Sequence, residues 1–314
     1  MAVIDIIGAP FDLCGKRLGS RLGPAAVRLA GISSALEGLG LSVHDCGDVS
    51  TATEHTSEGG LRNFKPLLQC VKSLQERVLE SLENNRIPIV LGGEHTVAIG
   101  GISAALKHYQ GDLGLIWIDA HADMNTPGTS HSGNMHGMPV AALAGLPSEK
   151  PGVAEDEWRE LQQLIGPGPR LDLLATVWYG LRDVDPNERN RLRGLPVTMH
   201  DIDRHGVEAT VSRLDEYIRR SGVRQVWISF DVDALDPLLA PGTGTGVRGG
   251  LTYRESHLTA ELLRESLDSR NCPYRLVGVD VVETNPLYDM RNQTAKMSVE
   301  WLASLFGKTI LGTR

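Results

Sequence analysis

The sequence predicts an α/β fold in which a mostly parallel sheet is covered by helices on both sides. Short, almost wholly apolar runs recur along the chain, as in strands buried on both faces. Longer amphipathic stretches separate them, the alternation that a parallel sheet requires. Polar clusters follow several apolar runs directly, which puts a ligand site beyond the carboxyl ends of the strands.

The elements follow in order. Residues 3–7 read as the first strand; no basic stretch precedes this apolar run, so it does not read as a secretion signal. Helices are expected over 23–36 and 63–84, a strand over 87–91, a helix over 98–108 and a strand over 113–118. The Gly/Pro-containing stretch around 145–168 reads as a surface excursion carrying a helix over 154–164. Strands at 176–180, 225–230 and 274–281 then alternate with helices at 207–220, 252–269 and 296–306. Thr252 with Glu255 three residues on is a capping-box pattern. No repeat, low-complexity tract or linker interrupts this alternation, so residues 1–314 read as a single domain.

Composition narrows the function. The 314 residues are 41% hydrophobic with a formal net charge of −8; nucleic acid is not an expected partner, because it rewards basic surfaces. No run approaches the roughly 18 apolar residues of a membrane span, so no membrane partner is expected. Cys14, Cys46, Cys70 and Cys272 form no Cys-x-x-Cys pair. They read as thiols in a reducing compartment, and a cytoplasmic location is expected.

Three strand ends carry the chemistry. One apolar run leads into Asp119-Ala-His121-Ala-Asp123, with potential ligands at i, i+2 and i+4, which share a face on an extended backbone. A second leads into Asp231-Val-Asp233, and a third into Gly92-Gly-Glu-His95, where the glycines are expected to turn the chain sharply. Burying like charges this close is costly unless cations lie between them. Four aspartates and two histidines without a thiolate suit Mn²⁺, with Fe²⁺, Co²⁺ or Ni²⁺ as substitutes. Six ligands suit two ions about 3.5–4 Å apart sharing carboxylates.

The segments GGEH, DAHADMNTP…SGNMHG, GLRDVDP, SFDVDALDP and GLTYRE resemble the ureohydrolase superfamily, and within it the arginase family. The similarity runs from GAPFD near the start to the ETNP…NQTAKMSVEWLASLFG stretch. It implies a three-layer α/β/α fold, two Mn²⁺ per subunit and a homo-oligomer, either trimer or hexamer. One ion would be bound by His95, Asp119, Asp123 and Asp231, the other by His121, Asp119, Asp231 and Asp233. The implied reaction is hydrolysis of L-arginine, a small cationic substrate, to L-ornithine and urea, by a hydroxide that two ions generate near neutral pH.

The resemblance also implies roles for further residues. Asp123 would first carry the proton for the leaving amine and His136 would shuttle it to solvent, while Glu283 would bind the guanidinium. Asn125 and Ser132 would hold the α-carboxylate, Asp185 with help from Asp183 the α-amino group, and Thr245 would lie near the substrate. Glu94, Gly246 and Arg248 depart from the usual pattern; Gly246 is expected to loosen its loop and Arg248 to add charge near the cleft. Agmatine, a guanidino acid or formiminoglutamate is the alternative substrate. A two-metal phosphoesterase would instead want converging basic residues on its phosphate. His131 reads as an ordinary loop histidine.

Overall fold

A computed structural model describes residues 3–55, 60–166 and 168–311. In chain order it contains β1 (Val3–Ala9), α1 (Gly23–Leu29), α2 (Ile32–Glu37), β2 (Ser42–Asp48), α3 (Phe64–Glu83), β3 (Ile87–Gly92), α4 (Ala98–His108) and β4 (Gly114–Ile118). There follow α5 (Pro139–Leu143), α6 (Val153–Ile165), β5 (Thr176–Leu181), α7 (Pro186–Arg189), β6 (Leu195–Thr198), α8 (Met199–Ser221), β7 (Gln225–Asp231), α9 (Tyr253–Asp268), β8 (Arg275–Val282) and α10 (Gln293–Leu305).

The eight strands form one sheet in the order β2-β1-β3-β8-β7-β4-β5-β6, and every pairing in it is parallel. Side chains alternate across it as strand geometry demands. Leu115, Trp117, Trp178 and Trp227 enter one apolar layer with residues of α3, α4, α5 and α6. Ile116, Ile118, Val177, Ile228 and Phe230 enter the other with residues of α1, α2, α8, α9 and α10. The architecture is therefore the three-layer α/β/α arrangement expected.

Several boundaries differ from those the sequence suggested. The expected helix over 23–36 is two helices, broken at Gly31, whose φ of 91° lies in the left-handed region. Two edge strands, β2 and β6, were not foreseen: β2 reads SVHDCGD and none of its residues is buried, so it carries no apolar signature. The stretch around 145–168 is more than a surface excursion, because Trp158 and Leu161 of α6 are 1% and 0% exposed and belong to the core. The expected helix over 207–220 begins earlier, at Met199, and kinks at Gly206.

Candidate metal centre

Five neighbouring strands, β3, β8, β7, β4 and β5, end on one edge of the sheet, and each releases polar residues there. After β3 the chain passes Gly92 and Gly93 into a 3-10 turn at His95–Val97. Close approach, not a sharp turn, is what fixes Gly93: a Cβ there would lie 1.9 Å from the Phe11 carbonyl oxygen, and its φ is not positive. His95 is thereby held 1% exposed, its ring stacked on Trp117 at 3.9 Å between centroids and 6° between planes.

Strand register fixes the other side of that ring. Trp117 of β4 pairs with Ser229 of β7, and Ser229 pairs with Asp280 of β8. His95 Nε2 lies 2.8 Å from Ser229 Oγ. The indole of Trp227 donates to Asp280 Oδ2 at 2.6 Å, and the Ser229 hydroxyl donates to Asp280 Oδ1. With its proton given away, Ser229 can only accept from His95 Nε2–H, which leaves the Nδ1 lone pair facing the cluster.

Around that lone pair the carboxylates gather. His95 Nδ1 lies 3.0 Å from Asp119 Oδ2, 3.3 Å from Asp123 Oδ2 and 3.1 Å from Asp231 Oδ2. On the other side, His121 Nδ1 lies 3.3 Å from Asp119 Oδ1 and 3.1 Å from Asp233 Oδ2. Two groups of possible metal ligands result, His95–Asp119–Asp123 and Asp119–His121–Asp233, each with its ligand atoms within 4.8 Å of one another. Asp119 belongs to both, and Asp231 stands against the first through His95.

The extended-strand picture of this segment needs correction. β4 ends at Ile118, so residues 119–123 lie outside the sheet, and Asp123 adopts a φ of 51°. Likewise Asp231 closes β7 while Asp233 sits in a 3-10 turn. Loop conformations, not strand alternation, bring these groups together. Glu283, just after β8, also has a positive φ, 63°. Backbone strain of about 1–3 kcal/mol per such residue persists only where its surroundings enforce it, and it concentrates at functional sites.

The electrostatics fit a bound metal. His95 Nδ1 and Asp119 Oδ2 are both buried without a hydrogen-bond partner, although they are 3.0 Å apart. Two buried polar atoms held side by side without such a partner suit donors that share an ion. Burial pushes the Asp123, Asp231 and Asp233 carboxyls above their usual range, and neighbouring carboxylates push them further. Burial opposes charge on His95, but Asp119 and Asp231 outweigh it and raise its pKa well above the usual value. Burial also opposes charge on Asp119, yet His121 and His95 hold that carboxyl low. A cluster of four buried carboxylates and two imidazoles is the donor set that two dications would neutralise.

Above the cluster lies a cavity of about 370 Å³. Of the six residues expected to bind metal, five line it, and the sixth, Asp119, is 0% exposed and lies 3.0 Å from His95 Nδ1. His136, Asn125, Ser132, Asp183, Asp185, Thr245 and Glu283 line it as well, so the structure gathers every residue given a catalytic or substrate-binding role from the sequence. Glu283 Oε1 accepts from the His95 backbone N–H at 3.1 Å and lies 3.1 Å from His136 Nδ1. Asn125 Nδ2 donates to Asp185 Oδ2 at 2.9 Å, and Thr245 Oγ1 donates to Asp233 Oδ2 at 2.7 Å. Asp183 stands at the mouth, 3.8 Å from His121 Nε2.

Other lining residues were not foreseen. His131, read as an ordinary loop histidine, lines the cavity, as do Lys16 and Glu188. Glu188 is 4% exposed and accepts from the backbone N–H groups of Met124 at 2.7 Å and Asp185 at 3.1 Å. Burial raises its pKa to about 7. The Asp-Pro-Asn-Glu spacing could have flagged it as a capping residue of α7, but not as part of the cavity wall. Arg248 is exposed and is not among the residues that line the cavity.

A family model described as the arginase family matches residues 2–307. The arginase of Staphylococcus aureus (strain COL) is 42% identical over 316 residues, covering 98% of each chain. The arginase of Bacillus caldovelox is 40% identical over 322 residues, covering 99% of this chain and 100% of its own. Its native crystal structure at pH 5.6 superposes with a TM-score of 0.88, covering 99% of this chain and 100% of that one.

Proposed function

This chain belongs to the arginase family, and we infer from that membership and from its site that it hydrolyses L-arginine to L-ornithine and urea. It is a hydrolase acting on the guanidino group. The observation that carries the reading is the pair of His/Asp groups sharing Asp119 beneath a cavity whose wall holds the buried carboxylate of Glu283.

His95, Asp119, Asp123 and Asp231 would hold one divalent ion, and His121, Asp119, Asp231 and Asp233 the other. When bound, such a pair supplies Lewis acidity and makes water a competent nucleophile near neutral pH. Manganese is the proposed metal, supported by a donor set of carboxylate oxygen and imidazole nitrogen without thiolate.

The remaining residues bind, orient and move protons. Glu283, whose Oε1 takes the His95 N–H and the His136 Nδ1–H, offers Oε2 to a guanidinium N–H and aims its carbon at the cluster. Asp123 takes a proton released in the attack and delivers it to the departing amine. His136, beside Glu283, exchanges a further proton between the site and solvent; with Nδ1–H donated to Glu283 Oε1, its Nε2 is left to do so. Asn125 and Ser132 hold the substrate α-carboxylate and Asp185, assisted by Asp183, its α-amino group. Thr245 steadies Asp233 through its hydroxyl. Reading both α-groups rejects analogues that lack one of them.

We further propose that the protein is a cytoplasmic homo-oligomer, a trimer or hexamer, with no nucleic-acid or membrane partner. No helix among the described residues is long and apolar enough to cross a membrane. Large apolar side chains stand exposed on the single chain, among them Leu29 at 83%, Leu238 at 93% and Met290 at 64%; cover by other subunits would bury them.

The test is urea release from L-arginine, agmatine and 4-guanidinobutyrate after manganese loading, with metal content measured on the same sample. Preference for arginine with two ions per chain is expected. Urea release from agmatine in preference to arginine would overturn the substrate assignment.

A further inference from the structure

The cavity is rich in acids. Beyond the metal-binding aspartates, its wall carries Asp183, Asp185, Glu188 and Glu283. Glu283 and Asp185 suit the two cationic ends of arginine, but the α-carboxylate has to lodge beside Asp185 and near Glu188. Asn125 and Ser132 offer that group neutral polar atoms and no charge. Lys16 is the one lysine or arginine that lines the cavity among the described residues. It is exposed and makes no ion pair with any described residue.

The backbone that carries Lys16 is fastened at both ends. On one side, the Cys14 N–H donates to Glu94 Oε1 at 3.0 Å and Asn63 Nδ2 donates to the Leu13 carbonyl at 2.5 Å. On the other, the Arg17 guanidinium lies 4.8 Å from the centre of the Tyr288 ring, Asn285 Nδ2 donates to the Leu18 carbonyl at 3.1 Å and the Gly19 N–H donates to Asp12 Oδ2 at 2.6 Å. This strap also reaches the loop that holds Asn125 and Ser132. The Cys14 thiol donates to the Arg62 carbonyl at 3.2 Å, and the Arg62 guanidinium donates to Asn134 Oδ1 at 2.9 Å. An ammonium on a flexible stem thus projects at the cavity wall from a rigid base, beside the carboxylate-binding loop.

We propose that Lys16 is the counter-charge for the substrate α-carboxylate and a determinant that separates arginine from its decarboxylated and amidated analogues. The inference rests on the arginine reading above and adds a specificity residue to it. Lys16 offsets the repulsion of Asp185 and Glu188 toward an entering carboxylate, and it leaves the guanidinium chemistry untouched.

The experiment compares Lys16→Ala, Lys16→Glu and Lys16→Arg with the parent, using L-arginine, L-argininamide and agmatine as substrates. In parallel, ornithine and putrescine binding is measured by calorimetry on manganese-loaded protein. Loss of Lys16 should raise KM for arginine about five- to tenfold with kcat nearly unchanged, Lys16→Glu more so, and Lys16→Arg should restore it. Argininamide and agmatine should be little affected, or improved by Lys16→Glu. Ornithine affinity should fall with the arginine KM, while putrescine affinity holds. Arginine KM and ornithine affinity within twofold of the parent in Lys16→Glu, or equal losses for the carboxylate-bearing and carboxylate-free ligands, would overturn the inference. If the parent releases no urea from arginine, the substrate assignment fails on its own, and the ornithine–putrescine comparison still decides the role of Lys16.

Discussion

His95 Nε2 sits 2.8 Å from Ser229 Oγ, a contact between residues 134 positions apart that fixes which nitrogen of the imidazole faces the carboxylate cluster. Ser229 is itself committed as donor to Asp280, so the neutral ring turns its Nδ1 lone pair toward the cluster.

Ser229→Ala is therefore expected to keep the fold and weaken metal binding about 10- to 100-fold, the usual cost of losing a ligand's orienting partner. Calorimetric titration of the metal-free variant with Mn²⁺ measures it. Affinity equal to that of the parent would show that Trp117 stacking alone orients the ring.

Asp119 is the side chain common to both ligand groups. Asp119→Ala should lower bound metal from two ions per chain to below one and reduce kcat by at least about 10³-fold, because losing both ions removes the nucleophile. Asp233→Ala should spare the His95 side and retain about one ion. Elemental analysis of the two variants checks this; a full complement on Asp119→Ala would contradict its shared position.

His136 Nδ1 is 3.1 Å from Glu283 Oε1, and neither residue belongs to the ligand groups. His136→Ala should leave metal content unchanged and slow turnover about 10²-fold, as expected for loss of a proton carrier. Added imidazole should recover part of the rate. An unaltered kcat would remove His136 from the proton path.

Glu188 carries a pH dependence of its own. Burial raises its pKa from 4.5 to about 7 in the folded chain, so the folded state retains a proton that the unfolded chain releases near pH 4.5. Its stabilising contribution is therefore complete below pH 4.5 and lost as pH rises through about 7. The loss approaches about 3 kcal/mol at 1.36 kcal/mol per pKa unit. Between pH 5 and 8, metal-free Glu188→Gln should gain about 2–3 kcal/mol of stability relative to the parent, measured by urea unfolding at each pH. A constant difference between the two curves would show that Glu188 ionises normally.

Much of the site could be read from the sequence because its candidate ligands follow strands buried on both faces. Apolar runs at β3, β4, β7 and β8 are local patterns, and the acids and histidines directly after them stand out against an apolar background. The edge strands β2 and β6 lacked that contrast: the polar residues of β2 are paired along one edge only and remain largely in solvent. The break at Gly31 and the short helices α5 and α7 depend on single backbone angles and a few residues, too little for periodicity to register.

The sequence by itself determined the α/β alternation, the six candidate ligands and their distribution over three strand ends, because side-chain chemistry and burial patterns are written residue by residue. Only the tertiary structure decided that Asp119 belongs to both groups, that Ser229 and Asp280 align His95, and that Glu188 and Lys16 belong to the cavity wall. Those relations arise from strand register and loop contacts between residues dozens to hundreds of positions apart, and no local pattern encodes such distances.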